Sequence, residues 1–107
     1  MSFSSSGCAE SEPYALRVIG DSMLPEFEEG AVIVIDPAGA TRDGSYVIAI
    51  HDDEYIFRQL RIYDGHYYLQ PLNDLYDTVE IPNLEQIKGV VSQKSGRRRK
   101  DHKRYDL

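Results

Sequence analysis

Cysteine, histidine and long apolar runs are scarce in this chain of 107 residues, and each shortage excludes a class of protein. The single cysteine, Cys8, cannot form an internal disulfide, and its Ser/Gly-rich surroundings predict an exposed, incidental thiol. No stretch approaches the roughly 18 apolar residues that a membrane-spanning helix needs. The start, MSFSSSGC, lacks the basic residues and apolar block of a secretory signal. We therefore expect a cytoplasmic protein with no membrane partner.

Residues that could hold a metal are equally sparse. The chain has three histidines, which are scattered along it: His51, His66 and His102. This spacing does not match the clustered ligands of a structural zinc site. Three carboxylates, Glu26, Glu28 and Glu29, fall in one short turn, where such groups are usually solvated rather than bound to a cation. We expect neither a metal nor another cofactor.

The charge of the chain is unevenly distributed. The segment 96–107 carries six Lys/Arg against two Asp, a local charge of +4, whereas the other 95 residues carry −10. The six basic residues of this segment are Arg97, Arg98, Arg99, Lys100, Lys103 and Arg104. A basic tail of this kind can contact nucleic acid weakly, remain solvated, or fold back on its own acidic body. The sequence leaves these three alternatives open.

Short runs of strand-forming residues, separated by turn signals, predict one nearly all-β domain, either a barrel or a sandwich of bent sheets. Turns are expected at Asp52-Asp53 and at Asp64-Gly65, the latter being the stronger hairpin signal. We expect a flexible leader at 1–12, the folded domain at 13–95 and the basic tail at 96–107. The predicted strands are 14–19, 31–36, 45–51, 54–63, 67–71, 79–81 and 85–94.

The stretch GDSMLPEF, residues 20–27, places Ser22 between a predicted strand and a turn. Three interpretations are open. Ser22 can be a turn or cap residue, since Asp and Ser before a proline favour turns. It can be a nucleophile that requires a general base. It can also belong to a fold built for such chemistry that has lost it.

Four segments in order give this stretch a wider context: GDSM followed by an acidic turn and a β-branched strand, then GSYVIAIHDDEYIFRQL, YYLQPLNDLY and EQIKGVV. Together they resemble the catalytic domain of the LexA/UmuD/phage-repressor serine peptidases over about eighty residues, Tyr14 to Gln93. The resemblance implies a mainly β fold of bent antiparallel sheets forming a partly closed barrel with little helix. It also implies a homodimer.

The resemblance further implies a catalytic pair, a serine nucleophile and a buried neutral lysine that accepts its proton. Ser22 falls on the nucleophile position, and Asp21 and Met23 flank it as residues that support the site or its oxyanion hole. The lysine position falls on Arg58. Arginine has a pKa above about 12 and does not deprotonate in proteins, so it cannot act as the base.

No substitute base is evident, because Lys88, Lys94 and His51 all lie outside the expected position. Only 21 residues precede Ser22, and no DNA-binding helical domain is predicted, so a self-cleaving repressor does not fit. We therefore predict a catalytically impaired binding or regulatory module with a protein or peptide partner. The alternatives are an active serine peptidase with a non-standard base, and a DNA-repair or polymerase-associated partner of the UmuD type.

Overall fold

The computed structural model describes residues 12–96 and 102–105, and all its regular elements are β-strands. The predicted leader, with Cys8, and the basic residues Arg97, Arg98, Arg99 and Lys100 lie outside the described residues, apart from Glu12 at the end of the leader. The strands are β1 (Tyr14–Arg17), β2 (Val32–Asp36), β3 (Tyr46–His51), β4 (Glu54–Tyr63), β5 (His66–Gln70), β6 (Val79–Ile81), β7 (Ile87–Ser95) and β8 (Lys103–Arg104). Across these ranges no helix is long and apolar enough to span a membrane.

The eight strands form one antiparallel sheet in the order β1-β2-β7-β3-β4-β5-β6, with β8 added beside β7. Strand β7 links the two halves, because its N-terminal part pairs with β3 while its longer C-terminal part pairs with β2. The prediction of a mainly β fold is confirmed. The path of strands is open at β1 and β6, so the expected barrel closure holds only loosely.

Two tight hairpins hold the centre of the sheet. Asp52 and Asp53 both have positive φ, 52° and 64°, and join β3 to β4. Asp64 and Gly65, with φ of 51° and 80°, join β4 to β5 in the same way. Positive φ at both central residues defines the turn whose twist matches that of paired strands, and Asp and Gly tolerate it better than other residues. The two hairpins fix the register of β4.

The core consists of two apolar clusters. One cluster is built mainly from β3, β4, β5 and β7 and includes Val47, Leu60 and Leu69. The other lies towards β1 and β2 and contains Met23 and Phe27, which are 1% and 0% exposed. Burial of side chains of this size stabilises the fold by about 1.5–3 kcal/mol each. Because Met23 and Phe27 both lie in the turn that carries Ser22, their burial anchors that turn to the core.

The described part of the C-terminal segment folds back on the body. Lys103 and Arg104 pair with Lys94 and Gln93 of β7, and the Lys103 ammonium lies 2.9 Å from the Glu26 carboxylate. The Tyr105 hydroxyl donates to the same carboxylate at 2.6 Å. Glu26 is therefore held by partners, which corrects the expectation that all three turn carboxylates are solvated. Two of the residues predicted to contact nucleic acid are described. Lys103 forms an ion pair with Glu26, and Arg104 is exposed.

Candidate functional site

The turn that carries Ser22 is fixed by its own backbone and by buried side chains. The Leu24 amide donates to the Asp21 carbonyl at 3.3 Å, and the Phe27 amide donates to the Met23 carbonyl at 2.9 Å. The second bond closes a tight turn across residues 23–27. Met23, which is predicted to support the site, directly follows Ser22 in the chain. Its side chain is fully buried in the core.

A second loop, residues 71–76, holds the backbone of Ser22 in place. The Ser22 carbonyl accepts hydrogen bonds from the amides of Leu72 and Asn73, at 3.0 and 2.9 Å. The Asn73 side chain also donates to the carbonyl of Asp21 at 3.0 Å. Three bonds between residues some fifty positions apart therefore restrain Ser22, which is the kind of support that a precise site needs.

Arg58 reaches Ser22 from β4, where it pairs with Val47 of β3. Its Nη1 donates to the Ser22 Oγ at 3.0 Å and to the carbonyl of Phe57 at 2.8 Å. The structure thus brings together the two residues that the sequence singled out. The assignment of catalytic roles to these positions stays a prediction.

The chemistry of this pair follows from the guanidinium group. Burial lowers the pKa of Arg58, and the nearby Tyr76 acts in the opposite direction. Arginine stays protonated in proteins even when its pKa is lowered, so Arg58 remains a cation with donors and no acceptor. Within 12–96 and 102–105, Arg58 is the side chain that hydrogen-bonds to the Ser22 hydroxyl. Among the described residues, the side chain that contacts the hydroxyl is therefore a hydrogen-bond donor and not a base.

Tyr76 completes the site from the second loop. Its ring lies over the guanidinium, with the Arg58 Cζ 5.8 Å from the ring centroid. Its hydroxyl donates to the Asp21 Oδ1 at 2.6 Å, and this hydrogen bond raises the pKa of Tyr76. Asp21 is thus engaged with Tyr76 rather than with Arg58. The predicted supporting role of Asp21 has a physical basis in this contact.

Asn73 and Tyr76 have no role in the sequence-based prediction. Both fall in YYLQPLNDLY, which contributes to the family resemblance only as a segment. The signal that could have identified them is the polar and aromatic character of a loop that follows the strand pairing with β4. Their contacts span 52 and 55 positions, so no local pattern predicts them.

The other candidate bases are engaged elsewhere. Lys94 contacts the carbonyl and, at 3.4 Å, the carboxylate of Glu26. The Lys88 ammonium donates to the carbonyl of Glu85 at 3.2 Å. His51 lies at the β3–β4 hairpin, 3.6 Å from the carboxylate of Asp52. Each of these three side chains has a partner other than Ser22, and the expectation that none of them replaces the lysine base stays a prediction.

No cluster of three or more His, Cys, Asp or Glu that could hold a metal occurs in the described part of the chain.

Within residues 12–96 and 102–105, the backbone amides of Ser22 and Met23 donate to no backbone carbonyl. They remain candidates for the predicted oxyanion hole.

Comparison with known proteins identifies the family. The Peptidase S24-like family matches residues 1–92. The chain belongs to this family. The sequence-based recognition of a LexA-like peptidase domain is therefore confirmed.

Several curated proteins are similar to this S24-like chain. It is 44% identical over 94 residues to an HTH-type transcriptional regulator for conjugative element R391 from Providencia rettgeri, covering 81% of this chain and 44% of that protein. It is 36% identical over 90 residues to repressor protein C2 of Salmonella phage P22, covering 78% and 41%. It is 30% identical over 70 residues to the LexA repressor of Alcanivorax borkumensis, covering 64% and 34%. The chain spans less than half the length of these relatives.

Proposed function

We propose that this S24-like domain is a peptidase-fold module that does not cleave peptide bonds and that acts by binding a protein or peptide. One observation carries the proposal: the Nη1 of Arg58 donates a hydrogen bond to the Ser22 Oγ at 3.0 Å. A proton donor therefore occupies the place where a serine nucleophile needs a proton acceptor. Loss of a general base typically removes a factor of about 10²–10⁴ in rate.

The support around the site favours binding over simple decay. The backbone of Ser22 is still held by Leu72 and Asn73, and Asp21 is still held by Tyr76. These restraints hold the Ser22 turn in a fixed geometry, as a binding site requires. The similarity to regulators and repressors suggests that the binding serves regulation of transcription, including an SOS-type response. A cytoplasmic location and a homodimer are parts of the same proposal.

An active peptidase with a non-standard base is the alternative. It would require an acceptor near Ser22, and in the residues that the structure describes Lys88, Lys94 and His51 have other partners. A DNA-repair or polymerase-associated role through the basic tail has less support, because Lys103 is bound to Glu26.

Labelling with a fluorophosphonate tests the proposal. The wild type and Ser22→Ala should both remain unlabelled, whereas Arg58→Lys should react, because a lysine in this half-buried position can lose its proton. Arg61→Lys is the matched control, since Arg61 lies on the same strand in an exposed ion pair with Asp43. Labelling of the wild type that disappears in Ser22→Ala would overturn the proposal.

A further inference from the structure

The Arg58 guanidinium lacks an anionic partner in the described part of the chain. The carboxylate ion pairs there involve other cations, among them Arg61 with Asp43 and Lys103 with Glu26. Asp21, the acidic residue on the Ser22 turn, accepts its hydrogen bond from Tyr76 instead. A half-buried cation without an anion is unfavourable, so a bound anion would stabilise it.

The donors at this site suit a carboxylate in number and type. The Nη1 of Arg58 is used by Ser22 and by the Phe57 carbonyl, and the described residues accept no hydrogen bond from its Nη2. The Ser22 Oγ accepts from Arg58, so its own proton remains available for donation. The hydrogen-bonded pair thus has two donors left, the Nη2 group and the Ser22 hydroxyl, and a carboxylate offers two acceptor oxygens. A terminal amide offers one acceptor and a competing NH₂ group.

The surroundings of the site are apolar and exposed. Of the large apolar residues exposed in the described ranges, Ile19 at 87% and Leu24 at 37% flank Ser22 in the chain. Leu75 at 86% and Tyr76 at 41% follow Asn73, whose amide bonds to the Ser22 carbonyl. Both chain segments that build the site thus carry exposed apolar residues next to it in sequence, and exposed apolar residues beside polar groups are typical of a binding surface for peptides.

We propose that the Ser22–Arg58 pair is a carboxylate-binding site, which takes a peptide whose carboxylate lies beside an apolar side chain. This inference rests on the proposed function, because it makes the arginine a ligand-binding group rather than a failed base. The net charge of −6 disfavours multiply charged anions such as phosphate over a single carboxylate. The carboxylate can be a chain terminus or an acidic side chain.

Isothermal titration of the full chain with three short peptides tests the proposal. The probes are acetyl-Ala-Ala-Leu as the free acid, the same peptide as its C-terminal amide, and acetyl-Ala-Glu-Leu amide. The acid should bind at least about tenfold more tightly than the first amide, as expected for hydrogen bonds to a charged group. Comparable binding of the third peptide would identify an acidic side chain as an accepted source of the carboxylate.

Two variants test whether the preference for the acid over the amide depends on Arg58. Arg58→Gln should abolish the difference between acid and amide, whereas Arg61→Gln, on the same strand, should retain it. Equal binding of the acid and both amides by the wild type would overturn the proposal, as would absence of binding by all three. The wild-type comparison needs no variant, so a failure of Arg58→Gln to fold does not affect it. Fluorophosphonate labelling tests the lack of activity separately from carboxylate binding. A wild type that is labelled and still prefers the acid would refute the proposed lack of activity but not the carboxylate site.

Discussion

The Arg58 Nη1 lies 3.0 Å from the Ser22 Oγ, although 36 positions separate the two residues in the chain. Strand β4 carries the guanidinium, and the turn anchored by Met23 and Phe27 carries the hydroxyl. Because arginine donates hydrogen bonds and does not accept protons, this contact holds the serine without activating it. The proposed function and the proposed carboxylate site both depend on this contact.

The contact between Asp21 and Tyr76 can be followed through the titration of the phenol. The hydrogen bond to the Asp21 carboxylate raises the pKa of Tyr76 above 10.0, because it stabilises the protonated form. Asp21→Asn should therefore lower the pKa of Tyr76. The ¹³C chemical shift of the Tyr76 Cζ against pH measures it, with Asp74→Asn as the control. An unchanged Tyr76 titration in Asp21→Asn would contradict the contact.

Tyr105 should contribute measurably to the stability of the fold. Its ring centroid lies 5.6 Å from that of Phe27 and 5.3 Å from that of Tyr46. Tyr105→Ala should lower the free energy of unfolding by about 1–3 kcal/mol, less than for a fully buried aromatic residue. Arg104→Ala, at an exposed position beside it, should change the free energy by no more than about 0.5 kcal/mol. Urea unfolding compares the two, and equal stabilities would show that the folded-back segment contributes nothing.

Glu26 predicts how stability changes in acid. Burial acts to raise its pKa, but hydrogen bonds from Tyr105 and Lys103 together with the charges of Lys94 and Lys103 outweigh it, so the pKa falls below 4.5. The folded state therefore gains stability from Glu26 above this ordinary value and loses it as pH falls through the lowered pKa.

The variant Glu26→Gln should have a lower free energy of unfolding than the wild type near neutral pH. The difference between the two free energies, the stability gap, should become smaller as the pH decreases below 4.5. Glu28→Gln, an exposed neighbour, is the matched control. Urea unfolding at a series of pH values measures both. A gap that is constant with pH would show that the Glu26 contacts do not depend on its charge.

Gly89 should not tolerate a side chain. It lies in β7 opposite Ile48, and a Cβ atom there would overlap the Cγ2 of Ile35 on the neighbouring strand. Gly89→Ala should lower the free energy of unfolding by about 1–3 kcal/mol, because the buried Ile35 has little room to move. Lys88→Ala, at the adjacent exposed position, should be nearly neutral in the same thermal or urea unfolding measurement. An equally stable Gly89→Ala would mean that β2 and β7 can separate at no cost.

The strands and hairpins could be predicted because their signals are local. The alternation around Leu16 and the β-branched run at residues 31–36 each describe one strand. Asp52-Asp53 and Asp64-Gly65 favour positive φ by themselves, and the structure has turns at both. The meeting of Ser22 and Arg58 was also accessible, but only through resemblance to a family.

The supporting contacts could not be predicted from the sequence. The bonds from Asn73 and Tyr76 to Asp21, and from Tyr105 to Glu26, join residues 52 to 79 positions apart. They depend on how loops and strands of distant segments pack, which neither periodicity nor turn chemistry encodes. Glu26 shows the consequence, because a carboxylate in an acidic turn is expected in solvent until Lys103 and Tyr105 are seen beside it.

The most direct test of whether Ser22 lacks a general base is the rate of fluorophosphonate labelling. Intact mass follows the reaction from pH 6 to pH 10 for the wild type and for Arg58→Lys in parallel. We expect no Ser22 adduct on the wild type at any pH, and an adduct on Arg58→Lys that forms faster as pH rises and the lysine loses its proton. A wild-type adduct on Ser22 at any of these pH values would contradict the proposed lack of activity.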